Sequence, residues 1–325
     1  MSRPARCCAA RVVLSGLVLL DSLLAAAASA QPAAGPPRRW QIEVTGAQAV
    51  LSPAGLDSLV DYETAIVDHL RTQQIQQTHE GDLRKLNRAF PTGARVVRAM
   101  GRRWSVGAGF SWFDSRRRSS AEASYDYTVV NASAQEYQRA FSETITIDPL
   151  ALTAREYFTH AVVRYEWIVG SRFGLGTALH AGWLAAECRV ERARTIAGGF
   201  YPINRASRVN LTGRGYGPAG DALLTARVSV TRRIGVLAEA GYAWHVIQKV
   251  TGSSTSASTA QDGEATQVEL AQTSQAEGRW INQSVAYQTG SGVWRGTAPA
   301  IGGQGSPFRL DLSGWRFTVG MTLGL

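Results

Sequence analysis

The last twelve residues, Gly314–Leu325, alternate strictly between large apolar and small or polar side chains. Trp315, Phe317, Val319, Met321, Leu323 and Leu325 fall on one parity; Arg316, Thr318, Gly320, Thr322 and Gly324 fall on the other. A period of two predicts a strand with one apolar face. Its second face is too small to be an ordinary solvent face. The pattern returns along the chain. Trp40, Ile42 and Val44 alternate with Gln41, Glu43 and Thr45; Trp104, Val106, Ala108, Phe110 and Trp112 alternate with Ser105, Gly107, Gly109 and Ser111. It recurs over Tyr157–Trp167, Phe173–Trp183, Leu224–Val230 and Val236–Val246. A weaker eighth segment, Ala94–Met100, has Val97 and Ala99 on its apolar parity and Arg98 on the other.

The links between these segments are of two kinds. Gly101-Arg102, Val169–Ser171 and Arg232–Ile234 are turns of two or three residues, whereas residues 52–92, 114–156, 186–220 and 249–312 are long. Short turns on one side, long loops on the other and both termini on the short side describe an up-and-down meander. That is the pattern of a transmembrane β-barrel, and spans of ~9–11 residues suit its tilted strands. Aromatic pairs bracket the spans at headgroup height: Trp104 and Trp112, Tyr157 and Trp167, Phe173 and Trp183. The expected fold is therefore all-β, a closed antiparallel up-and-down transmembrane β-barrel of eight strands with long extracellular loops. A soluble β-sandwich also alternates, but asymmetric link lengths and paired girdles weigh against it.

The start of the chain is consistent with that destination. Arg3, Arg6 and Arg11 precede the apolar run Val12–Leu20, and Ala28-Ser29-Ala30 offers a small-residue cleavage site, so residues 1–30 read as a secretory signal peptide and 31–325 as the barrel domain. The formal charge of +9 falls to +7 once three arginines and one aspartate of that segment are removed. The excess of cations has no basic patch interleaved with aromatics, so nucleic acid is not an expected partner. Cys7 and Cys8 leave with the signal, and Cys188 remains as a lone thiol.

The alternating strands and the terminal segment Phe317–Leu325 resemble the small eight-stranded outer-membrane barrels, the OmpX type and the membrane domain of the OmpA type. Most members of those families end in Phe, whereas this chain ends in Leu325. The resemblance covers under half of the mature chain and implies a Gram-negative outer-membrane location, assembly by the outer-membrane insertion machinery and a monomer among lipids such as lipopolysaccharide.

Within such a barrel, parity turns Glu43, Arg98, Arg164, Glu166, Arg227 and Glu239 inward near the short-turn end. Eight strands leave an interior that side chains can fill. A charge network closing the interior is the expectation, with Arg227 opposite Glu239 across the turn Arg232–Ile234; an ion path is the functional alternative. The same counting sets His160 opposite His180, a pair without the further ligands a metal site needs, and His245 opposite Asp221 near the outer rim. The latter pair is the candidate catalytic dyad of a rim enzyme acting on lipid, but no serine lies at a nucleophile's spacing. Neither metal nor cofactor is expected.

The links add three further readings. Leu56, Leu59, Val60, Ile66, Val67 and Leu70 predict an amphipathic helix in the first loop, packed on the barrel's rim or acting as lid or plug, and Leu83, Leu86 and Phe90 predict a second short one. Arg116, Arg117 and Arg118 stand just beyond Trp112, where outer-leaflet phosphates would lie. Val268, Leu270, Val285 and Tyr287 could add a strand pair, and ten or more strands would favour a small channel. The expected role is structural or surface-interacting through the loops, without catalysis.

Overall fold

The computed structural model describes residues 40–51, 54–72, 77–130, 138–170, 172–198, 203–262, 272–289 and 292–325. The signal segment 1–30 and the apolar pair Val268 and Leu270 lie outside them. In chain order the elements are β1 (Trp40–Leu51), α1 (Ala54–Thr72), β2 (Gln77–Gly81), β3 (Arg88–Ala89), β4 (Thr92–Ala99), β5 (Trp104–Val130), β6 (Gln138–Val169) and β7 (Phe173–Gly198). Then follow β8 (Ile203–Ser229), β9 (Ile234–Ile247), β10 (Val250–Asp262), β11 (Gln272–Thr289), β12 (Gly292–Ile301), β13 (Ser306–Pro307), β14 (Leu310–Asp311) and β15 (Gly314–Gly324).

The strands form an antiparallel sheet of fifteen. Eight of them pair in a circuit: β1 with β4, then β5, β6, β7, β8, β9 and β15 in turn, and β15 with β1 again. Trp40 and Leu325 meet at the short-turn end, where the Leu325 amide donates to the Trp40 carbonyl at 3.0 Å. Outward side chains of this circuit are apolar and exposed, among them Val44, Val106, Phe110, Val163, Leu179, Leu224, Val319 and Met321. Trp40, Trp104 and Trp167 edge this belt below; Trp112, Tyr157, Trp183, Tyr216, Trp244 and Trp315 edge it above. From Trp104 to Trp112 the strand rises about 27 Å, or about 20 Å at a tilt of ~40°.

The links 114–156 and 186–220 are not loops over most of their length. They continue as hairpins, so that β5 runs eighteen residues past Trp112 to Val130. On the inward side of these extensions polar filling gives way to an apolar core of Phe113, Leu152, Phe158, Leu184, Val190 and Ile247. The register of β6 shifts between Ile147 and Leu150, at Pro149, which has no amide proton to give the ladder. The shift reverses parity, so Ile145 and Ile147 point inward together with Leu150 and Leu152.

The helix predicted in the first link forms as α1, with acidic Asp57 in its first turn, where the helix dipole favours it. It fills the mouth instead of lying on the rim. Leu56, Leu59, Val60, Ile66 and Val67 are buried in the apolar core, each worth roughly 1.5–3 kcal/mol against exposure. Glu63, fully buried, reaches Arg192 at 2.5 Å and Arg194 at 3.5 Å on the inward face of β7. Asp57 lies at the edge of this packing, and burial pushes its carboxyl up to about 6 despite Lys85 at 3.9 Å. Trp280 of β11 completes the stopper: it packs on Phe308 at a ring separation of 5.0 Å and its indole N–H donates to the Thr212 carbonyl at 3.3 Å. The second short helix does not form. Arg88 and Ala89 pair with Val50 and Ala49 instead, because an isolated turn of helix is unfavourable against an available ladder.

Candidate functional site

Between the short-turn end and the upper aromatic girdle the interior of the circuit carries a cluster of charged side chains, with Val97, Val162, Leu223 and Leu237 buried on the same inward face. Nine side chains form one continuous cluster. Arg164 faces Glu43 through both terminal nitrogens, at 2.8 and 3.0 Å. Arg95 lies 3.1 Å from Glu43 and donates twice to Glu239, at 3.1 and 2.9 Å. It also approaches His180 Nε2 at 2.9 Å, whose Nδ1 lies 3.1 Å from Asp221. Asp221 reaches His245 Nε2 at 2.8 Å, and His245 Nδ1 lies 3.0 Å from Glu156, which accepts from Arg316 at 2.7 Å. A separate pair, Glu166 and Arg227 at 2.9 Å, sits nearer the short turns, with Arg227 also donating to Gln41 at 3.2 Å.

Small residues make room for these charges. A Cβ added at Gly109 would fall 2.4 Å from Arg95 Cγ and 2.8 Å from His160 Nε2, and one at Gly174 would fall 2.9 Å from Glu166 Oε2. Taken together with Arg227 and Glu166, five carboxylates face four guanidinium groups. The imidazole of His245, held between two of those carboxylates, supplies the missing positive charge when protonated. Charges taken this far from water are tolerable only when paired and hydrogen-bonded to this degree.

Of the residues singled out from the sequence, Glu43, Arg164, Glu166, Arg227 and Glu239 point inward, and Arg98 does not. Arg98 pairs across β1 with Trp40 and lies over its ring at 5.3 Å, exposed at the lower girdle. Both parities of Ala94–Met100 carry one arginine, so alternation alone leaves its facing open. The ladder decides it by setting Arg95 directly opposite Glu43.

The expected facing of Arg227 and Glu239 also fails. The turn spans Val230–Arg233, with Thr231 Oγ1 accepting from the amides of Arg233 and Ile234 at 3.1 and 3.0 Å. That start, earlier than Arg232, slides the register by two residues, opposing Arg227 to Leu237 and Glu239 to Thr225. An even slip keeps each side chain on its face but changes its partner. The same kind of slip opposes His160 to Gly182, and its ring stacks diagonally on His180 at 4.8 Å. Three residues of the cluster, Arg95, Glu156 and Arg316, are additions to the sequence reading. Glu156 shares parity with His160 and Arg164 at four-residue spacing, and Arg316 stands on the small face of the last strand.

His245 and Asp221 do meet, but not at an accessible rim. His245 is 0% exposed and Asp221 5%. Phe158 caps them, stacked on His160 at 4.6 Å and edge-on to His245 at 4.6 Å, with the apolar core above. Of the three consecutive arginines, Arg116 and Arg118 point outward and Arg117 points inward, since a strand alternates faces. Cys188 is buried, and its thiol is pushed up to about 12 by burial and by Glu187 beside it, which leaves it unreactive.

No family model matches the sequence, and no curated protein does. Among solved structures, the crystal structure of the outer membrane protease OmpT from Escherichia coli aligns with 91% of this chain and 99% of its own, at 6% identity and a TM-score of 0.27. A superposition of that quality carries no argument about ancestry or activity.

Proposed function

We propose that the protein is an outer-membrane barrel closed by eight strands, sealed along its axis and acting as a structural or surface-interaction element through its long outward extensions. One observation carries the reading. At the same height, large apolar side chains stand exposed on the outward face while the inward face buries a paired charge cluster, the reverse of a soluble protein and the arrangement that a lipid exterior with a filled interior requires. Two stoppers in series support the sealed state: the charge cluster below and the apolar core with α1 and Trp280 above. The export segment 1–30, an outer-leaflet lipid environment and assembly by the insertion machinery belong to the same reading.

A rim enzyme built on His245 and Asp221 is the weaker reading, because a dyad capped by Phe158 has no substrate access. The test is electrical. Reconstituted in planar bilayers, the protein should pass no steady current; well-resolved, long-lived openings in the parent protein would sink the sealed-barrel proposal.

A further inference from the structure

Immediately above the upper girdle, the outward face of the extension is concave. The trough has a volume of about 1150 Å³ and crosses β5, β6, β7, β8, β10 and β11, which exceeds the ~300–1,000 Å³ of ordinary small-molecule pockets. Gly213 and Gly252 are among its lining residues, and most of the side chains that line it stand on the outward parity of their strands. It begins at the belt's upper edge: Asp114 is two residues beyond Trp112, Arg155 two from Tyr157 and Arg214 two from Tyr216.

The charges of the trough are partly committed. Arg155 is held by Asp114 at 2.8 Å, Arg214 by Glu187 at 2.8 Å, and Glu191 by Arg208 at 3.0 Å. Arg116 and Arg189 line the same trough and have no ion-pair partner among the described residues. Glu277, on the far wall, is likewise the carboxylate of the lining without one, and Thr153 and Thr251 add hydroxyls. Two free guanidinium groups suit phosphate oxygens, to which arginine donates charge-assisted and often bidentate hydrogen bonds. The Thr153 hydroxyl, between the two arginines in the cross-strand row, and Thr251 and Glu277 beyond them suit sugar hydroxyls.

We infer that this trough binds the sugar-phosphate headgroup of a phosphorylated glycolipid of the outer leaflet, with Arg116 and Arg189 on its phosphates. The inference rests on the membrane reading above, because it is the aromatic girdle that sets the trough at headgroup height. It also replaces the run of three arginines as the phosphate contact: Arg117 points inward and Arg118 lies outside the lining.

Native mass spectrometry of the protein released from lipid nanodiscs tests the assignment. The discs would hold a small fraction of bisphosphorylated lipid A or of its dephosphorylated form. The parent should retain the phosphorylated lipid, and the pair of changes Arg116→Ala and Arg189→Ala should reduce retention about tenfold or more. Arg118→Ala should retain it as the parent does, and the dephosphorylated lipid should behave like the double variant. Equal retention of the two lipids, or by the parent and the double variant, overturns the inference while leaving the barrel standing. Displacement of the lipid by an equal concentration of its soluble, deacylated sugar phosphate would overturn the lipid assignment in favour of a soluble anionic glycan. A chain that does not enter the discs overturns the membrane reading, and the inference with it.

Discussion

Replacing Arg164 by alanine is expected to cost the folded protein ~3–5 kcal/mol, because it strands Glu43 in the barrel interior with one of its two guanidinium partners removed. Glu43 is fully buried and Arg164 almost so. Urea unfolding of the refolded protein in lipid vesicles, followed by tryptophan fluorescence, measures the loss. The diagnostic comparison is Arg164→Met with Glu43→Leu. Removing both charges avoids the unpaired group, so the double change should cost clearly less than the two single changes together. Additive losses would mean that the two residues do not meet.

Phe158→Ala should have a second effect of comparable size, about 3–5 kcal/mol for an aromatic ring lost from a packed core. Its consequence extends beyond stability. Phe158 is the lid between two unlike interiors, with the imidazoles of His160 and His245 beneath and Leu152, Leu184 and Ile247 above. Without the ring, water should reach His245. Peptide mapping after treatment with diethyl pyrocarbonate should then show modification at His245 in the variant and protection in the parent. Modification of the parent to the same extent would mean that the dyad is open, and the enzymatic reading would regain its footing.

How much of this was legible in the sequence depends on which physical quantity each feature obeys. Facing obeys a period of two, so Trp104–Trp112, Tyr157–Trp167 and Trp315–Leu325 announce their outward sides without ambiguity, and their inward neighbours follow. Partnering obeys register, which turn chemistry and bulges set. The hydroxyl of Thr231 fixes one turn early, the turn closed by the Gly170 amide on the Phe173 carbonyl sits late, with the irregularity between Glu166 and Ile168 taking one residue back, and every cross-strand pair deduced by counting slips by two. Arg98 departs from its expected facing where the sequence is symmetric: Arg95 and Arg98 offer one cation to each face, and Glu43 on the neighbouring strand breaks the tie. The links 114–156 and 186–220 read as loops from their length alone, and the apolar inward faces of the extensions make sense only beside α1, whose stripe needed a partner that the pattern of one segment does not name. Glu63 shows the limit most sharply. Its place on an otherwise apolar helix face has a rationale only once Arg192 and Arg194 arrive from β7, well over a hundred residues later.

The most direct test of the account is the environment of the belt itself. Single nitroxide labels at Leu179, Val319 and Met321, introduced in a Cys188→Ser background and reconstituted in bilayers, would be probed for collision with oxygen and with a water-soluble nickel chelate. These side chains are 59%, 50% and 62% exposed, so each label stands clear of the protein and reports only the surrounding solvent. The account predicts strong relaxation by oxygen and exclusion of the chelate at all three sites. Ready collision with the chelate at these positions would put water where the lipid should be and contradict the barrel reading at its root.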